Sequence, residues 1–271
     1  MEATTEFWRD PALPYAESRR ACHSRACYIP HSHPTFSIGA VDEGASVFTG
    51  AGDSPVALRA GTLVFVPAHR VHACNPAPGA AWSYQMLHLD SAWVQAVRQE
   101  YGGSSTTCGK DEAIRIVCTP AVYAHFCGLV ALLFSGSDPQ DKEAALIEFI
   151  GTCDEADGLR VATRATSPCR ARALGPVLDF LRNTPVPNAA LVDLASLAAM
   201  SRYQLIRTFR AVTGMTPHAW QLNQRVNLAR ERLRAGEDIA QVAHGLGFAD
   251  QAHFQRVFKA HAGITPGRYR A

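Results

Sequence analysis

The chain has 271 residues, of which 47% are hydrophobic and 18% charged, a composition that supports packed cores and excludes a disordered chain. That length predicts two domains; no apolar run approaches the ~20 residues needed to cross a bilayer, and a start containing Glu2, Glu6, Asp10, Pro11, Pro14 and Glu17 does not read as a secretory signal, so a cytoplasmic protein is expected. The formal charge of +2 conceals a division: residues 1–170 carry 13 Lys+Arg against 18 Asp+Glu, whereas residues 171–271 carry 13 against 6, so a basic, polyanion-binding module follows an acidic body.

The first 117 residues read as β-rich. Short β-branched stretches at 36–41, 46–49, 56–58, 63–66 and 83–89 are broken by Gly, Pro and Asp, the pitch of a small barrel or jelly roll. From Pro120 the period lengthens. Residues 120–134 and 138–153 are predicted as two amphipathic helices joined by a Ser-Gly-Ser-Asp-Pro turn, an antiparallel hairpin. The small and polar residues that follow form the interdomain linker. The expected domains are residues 1–155, a linker at 156–171, and a helical domain at 172–271.

Eight cysteines are scattered, with no Cys-x-x-Cys pair and no zinc-ribbon spacing; they read as reduced, small hydrophobic residues.

The strongest internal signal is a repeat. Phe209-Arg210, Gly214, Thr216 and Pro217 recur 49 residues later as Phe258-Lys259, Gly263, Thr265 and Pro266. Leu191, Leu194 and Ala195 recur at an offset of 48 as Ile239, Val242 and Ala243, so the one-residue slip falls between them, in a turn joining two helices. Each unit is therefore a helix-turn-helix. Ser201 and Asp250 are expected to cap the second helix of each unit. Leu205, Phe209 and Val212 form the buried stripe of the first, and Phe254, Phe258 and His261 that of the second. The opposite faces carry Tyr203, Arg207 and Arg210, and then Ala252, Arg256 and Lys259. Together with Arg202, Gln204, Gln251, His253 and Gln255 these are the expected DNA-binding residues, because arginine pairs with guanine O6 and N7 in the major groove. A helix opened by Thr216-Pro217 and closed by Gly236 would hold the two units apart, so that one chain reads two successive major-groove segments.

Residues 172–271 resemble the AraC/XylS transcription regulators. The resemblance rests on Ile239, Val242-Ala243, Gly247-Phe248, Gln251, His253-Phe254, Arg256, Phe258-Lys259, Gly263, Thr265-Pro266 and Tyr269-Arg270; Ala252 stands where many members have Ser. It implies an α+β two-domain fold: an N-terminal cupin-like β-barrel with the helix hairpin, which binds a small-molecule effector and forms a homodimer, and a C-terminal all-α double helix-turn-helix. The implied partners are double-stranded DNA, the effector and, for an activator, RNA polymerase, with no membrane and no enzymatic activity.

Cupins carry a His-x-His pair and a Gly-x5-Pro segment leading to a further His. Here His31-Ser32-His33 and Gly61 to Pro67 followed by His72 match; His69 stands where Gly is usual, and the metal-binding Glu after the pair is missing. Two readings stay open for His31, His33, His69, His72, Tyr84 and His88: an organic effector pocket, or a divalent metal (Zn, Ni, Cu or Fe) held by the histidines. With a metal, the alternative function is a cupin enzyme fused to a DNA-binding domain. Trp82, Tyr84, Met86 and His88 share one strand face, either pocket-lining or external, and Arg70 is a candidate for an effector carboxylate.

Overall fold

The computed structural model describes residues 3–50, 54–101, 112–161, 168–184, 186 and 188–270; Cys108 and residues 162–167 of the expected linker lie outside them. The chain divides into two compact units, residues 1–26, 33–70 and 74–163, and residues 27–32, 71–73 and 164–271.

The first unit is a β-domain of two sheets flanked by helices. Its elements are β1 (Thr4–Arg9), β2 (Ala16–Ser24), β3 (Phe36–Glu43), β4 (Ala45–Thr49), β5 (Val56–Arg59), β6 (Leu63–Val66), β7 (Ala73–Pro76), β8 (Trp82–Leu89), α1 (Ser91–Glu100), β9 (Ile114–Val117), α2 (Pro120–Leu133), α3 (Pro139–Glu155) and β10 (Leu159–Val161). A seven-stranded sheet runs in the order β1-β2-β8-β3-β6-β9-β10, and a three-stranded one in the order β5-β4-β7.

The central strands of the large sheet are buried on both faces, which explains a strand as continuously apolar as Leu63–Val66. One face, with Phe36, Ile38, Leu63, Phe65, Leu87 and Leu89, packs beneath the helices against Val94, Phe126, Leu129 and Phe149. The other, with Val41, Val64, Val66, Tyr84 and Ile116, packs against Phe48 and Leu58 of the small sheet. Proline at the first helical position starts α2 and α3, where a missing N–H costs nothing.

Several elements depart from the sequence expectation. Helix α1 interrupts the β-rich region because Asp90 caps it, accepting from the Ala92 and Trp93 backbone N–H groups at 2.9 Å. β1 and β2 precede the first expected strand. β10 pairs with β9 inside the expected linker, Leu159 opposite Ile116.

The second unit contains α4 (Pro168–Asn183), α5 (Leu191–Leu197), α6 (Arg202–Thr213), α7 (Pro217–Arg234), α8 (Ile239–Gly245), α9 (Gln251–Ala262) and α10 (Pro266–Arg270). One core gathers Leu174, Val177, Leu181, Leu194, Leu205, Phe209 and Trp220. A second is aromatic, with Phe248, Phe254, Phe258 and Tyr269 in successive ring contacts of 5.0–5.6 Å. The short segments 27–32 and 71–73 belong to this unit. Ile29 N–H donates to the Ala260 carbonyl at 3.3 Å, and Val71 packs on the first core.

Candidate nucleic-acid interface and sensor core

The two helix-turn-helix units, α5–α6 and α8–α9, are built by the same local chemistry. The turns pivot on residues in the left-handed region, Ala199 at φ 49° and Gly247 at φ 69°. Just after each pivot a backbone N–H reaches back to the preceding helix, Met200 to the Ala195 carbonyl at 3.0 Å and Phe248 to Ala243 at 3.1 Å. These pairs are 48 apart. The next residues that match are the caps Ser201 and Asp250, 49 apart, so Ala249 is the inserted residue.

Ser201 and Gln204 form a reciprocal capping box: the Ser201 hydroxyl accepts from Gln204 N–H at 3.2 Å, and the Gln204 Oε1 accepts from Ser201 N–H at 2.9 Å. Asp250 accepts from His253 N–H at 2.6 Å. Both second helices end on left-handed glycines, Gly214 and Gly263, and both are followed by a Thr-Pro pair that opens the next helix.

Ten of the eleven expected DNA-contacting side chains are exposed: Arg202, Tyr203, Gln204, Arg207 and Arg210 on α6, and Gln251, Ala252, Gln255, Arg256 and Lys259 on α9. His253 differs. Its ring packs edge-on against Phe248 at 5.6 Å, and its Nδ1 is buried without a hydrogen-bond partner among the described residues.

Helix α7 ties the two helix-turn-helix segments of the second unit together through residues the sequence reading did not single out. Gln221 makes two bonds to Ala189, accepting from its N–H at 2.6 Å and donating to its carbonyl at 3.2 Å, and so holds the entry to α5. Arg225 donates to Asn188 Oδ1 at 2.6 Å and to the Gly247 carbonyl at 3.3 Å, with its guanidinium over the Phe248 ring. Burial lowers the Arg225 pKa from its ordinary value, and those oxygens compensate the desolvation. Asn223 and Asn227, also buried on α7, bond Ser32.

In the first unit, strand pairing assigns the face that the sequence left open. Tyr84 lies between Ala21 and Val41, Met86 between Arg19 and Gly39, and His88 between Glu17 and Ser37, all on the face opposite the helices. Trp82 stacks on Tyr84 at 4.3 Å, and its buried indole N–H has no hydrogen-bond partner among the described residues. The Arg19 guanidinium lies 5.3 Å from the centre of the Tyr84 ring. Gly39 leaves room for Met86, whose sulfur would sit 2.8 Å from a Cβ there. His88 Nδ1 is 2.9 Å from the Ser37 hydroxyl, and the His88 ring is edge-on to His33 at 4.9 Å. Glu17 is ion-paired with Arg9 at 2.7 Å. Alternation along β2 is the signal that would have placed Arg19 on this face, but Arg19-Arg20 reads as solvent-facing until the second face is known to be buried.

The remaining candidate histidines separate between the two units. His69, at φ 63°, takes the conformation of the glycine it replaces, and its N–H donates to the His33 carbonyl at 2.7 Å. His31 and His72 belong to the second unit and exchange backbone hydrogen bonds at 2.9 and 3.0 Å, their rings 4.7 Å apart. His31 Nδ1 donates to the Ile29 carbonyl at 2.7 Å, which leaves Nε2 as its ligand atom. Burial, then the neighbouring His72, hold His31 well below the ordinary imidazole range, so it is neutral. His33 belongs to the first unit, with His88. Arg70 donates from Nε to the Glu112 carbonyl at 3.0 Å.

Comparison with known proteins covers both units. A family described as "AraC-like ligand binding domain" matches residues 13–150, and one described as "Helix-turn-helix domain" matches residues 194–271. A putative AraC-like transcription regulator of Streptomyces antibioticus is 34% identical over 94 residues, covering 34% of this chain and 31% of that protein. The regulatory protein ada of Salmonella typhimurium is 38% identical over 121 residues and 33% of its length, so the match spans about a third of these relatives. An uncharacterized HTH-type transcriptional regulator of Bacillus subtilis, YbfI, is 23% identical over 82% of this chain and 80% of its own. Among solved structures, fatty-acid-bound ToxT from Vibrio cholerae aligns with a TM-score of 0.57 at 13% identity, covering 99% of this chain and 94% of that one, a likeness of fold.

Proposed function

Because this chain belongs to the AraC/XylS family of transcription regulators, we propose that it is an effector-responsive, sequence-specific DNA-binding regulator that works in the cytoplasm and is not an enzyme. The observation that carries this reading is the duplicated helix-turn-helix, with matched exposed cationic faces on α6 and α9 and with α7 bonded to both units. We assign residues 172–271 to DNA reading and residues 1–155 to effector binding and dimerisation, with the α2–α3 hairpin as the surface for a second copy. RNA polymerase is the further partner if the protein activates.

One chain presents two recognition helices, so it reads two major-groove segments about one helical turn, ~10 base pairs, apart. Footprinting of the full chain tests this. Two protected segments at that spacing support it, and a single protected segment refutes it. Affinity should fall with salt by a log–log slope of about −0.9 per phosphate neutralised.

For the sensor we propose a small organic effector with an aromatic or planar body and an acceptor group. Trp82 and Tyr84 offer stacked rings, the Trp82 N–H is an unspent buried donor, and Arg19 supplies positive charge. A thermal-shift screen of small metabolites is the test: a true effector stabilises the chain in proportion to RT ln(1 + [L]/Kd) and loses that effect in Arg19→Ala.

Metal binding is a second reading, which the facing His31 and His72 imidazoles of the second unit favour. Imidazole nitrogens suit Zn, Ni, Cu or Fe. Metal analysis of the purified chain beside a His72→Ala variant decides it: stoichiometric metal lost in the variant supports the reading, and none in either overturns it.

A further inference from the structure

The two recognition helices are not equivalent in how they hold their arginines, and on this we rest a proposal about specificity. Tyr203 lies in the first turn of α6 and is 68% exposed, more than any other large hydrophobic side chain described. It is not idle there. Its hydroxyl accepts from Arg207 Nη1 at 3.3 Å, and the Arg207 guanidinium lies 5.6 Å from the centre of its ring. Helical side chains lean toward the N-terminus, so this i,i+4 contact draws the arginine head back to the first turn. That turn is the part of a recognition helix that meets base edges. With one N–H on Tyr203, the fork keeps donors for the O6 and N7 of a guanine.

At the equivalent place in α9, 49 residues on, Ala252 stands for Tyr203 and Arg256 for Arg207. A methyl group offers neither ring nor hydroxyl, and Arg256 makes no side-chain hydrogen bond or ring contact among the described residues. The two helices differ in a second way. Gln204 spends its Oε1 on the capping box, so it lacks the free acceptor–donor pair that reads adenine, whereas Gln251 and Gln255 on α9 are exposed.

We propose that Tyr203 is a positioning residue that orders the Arg207 fork, so that the guanine read by α6 is specified more stringently than the base read by Arg256. This rests on α6 and α9 both entering the major groove. Ordering the fork before binding lowers the entropy lost on contact, and that gain is realised only where the base accepts both bonds.

The test is selection from a randomised duplex library with the full chain, followed by binding to every single-base variant of the selected site. Arg207→Ala and Arg256→Ala identify the position each arginine reads. Tyr203→Ala is expected to reduce the guanine preference at the Arg207 position about tenfold, while the preference at the Arg256 position changes less than twofold. Tyr203→Phe should retain most of the preference, and Ala252→Tyr should raise stringency at the Arg256 position. An unchanged preference in Tyr203→Ala, or equal losses at both positions, overturns the proposal. A wild-type chain that selects no sequence removes the DNA-reading premise as well, and is distinguished by its flat base profile. Tyr203 is exposed, so an unchanged melting temperature confirms that the variants are folded.

Discussion

Arg225 reaches from the middle of α7 to the carbonyl of Gly247, the left-handed pivot of the second helix-turn-helix, at 3.3 Å. Its other nitrogen holds Asn188, ahead of the first, at 2.6 Å. A single buried guanidinium thus fixes the entry of one helix-turn-helix unit and the turn of the other. Arg225→Met keeps much of the packing and removes both charged hydrogen bonds, each worth ~1.5–3 kcal/mol. The expected result is a loss of about 3 kcal/mol in urea denaturation, together with a footprint in which one groove segment weakens before the other. Arg225→Lys should fare little better, because a point charge cannot span both oxygens.

Asn223 is fully committed to Ser32. It accepts from the Ser32 N–H at 3.1 Å and donates to its carbonyl and hydroxyl at 3.1 and 3.0 Å, with all of these groups buried. Asn223→Ala leaves a donor and an acceptor poorly satisfied and should cost about 2–4 kcal/mol in chemical denaturation. Asn223→Asp can still accept from the N–H but turns a charge toward the Ser32 carbonyl, so it should be no better tolerated.

The two turns predict effects of opposite sign. Ala199 bears a side chain at φ 49°, so Ala199→Gly should relieve backbone strain and stabilise the chain by up to ~1 kcal/mol. Gly247 at φ 69° already uses glycine's freedom, so Gly247→Ala should destabilise it by ~1 kcal/mol. Thermal melts of the two variants decide this, and equal signs would contradict the shared turn geometry.

In the first unit, Asp42 accepts from Gln85 Nε2 and from the Tyr123 hydroxyl, both at 2.8 Å, yet burial raises its pKa, outweighing those bonds; Glu43 adds to the rise. An acid whose folded pKa exceeds its unfolded one favours folding below the unfolded value, about 4, and loses that contribution as pH rises through the folded value. Asp42→Asn keeps the acceptor oxygen without the charge. It should therefore stabilise the chain at pH 7, with the advantage shrinking as pH falls toward the raised pKa. Melting temperatures across pH 4–8 measure it, and a variant less stable than wild type at pH 7 would refute it.

The sequence by itself determined the features that depend on short-range hydrogen bonding and periodicity. Ser201, Asp250 and Thr216 could be placed as caps because each satisfies backbone N–H groups within three residues. The repeat located both turns, and Phe209 and Phe258 were recognisable as core because a helix sorts its faces by a fixed angle. The net charges of −5 over residues 1–170 and +7 over residues 171–271 already set a basic, polyanion-binding module apart from an acidic body. Only the tertiary structure decided which face of β8 packs beneath the helices and which against the small sheet, since alternation cannot tell two buried faces apart. Tertiary contacts also placed Ser32 and Val71 with the second unit, Arg225 between Asn188 and Gly247, and Arg19 over Tyr84. Those partners are brought together by folding across 22 to 191 residues of chain, a separation at which local pattern carries no information.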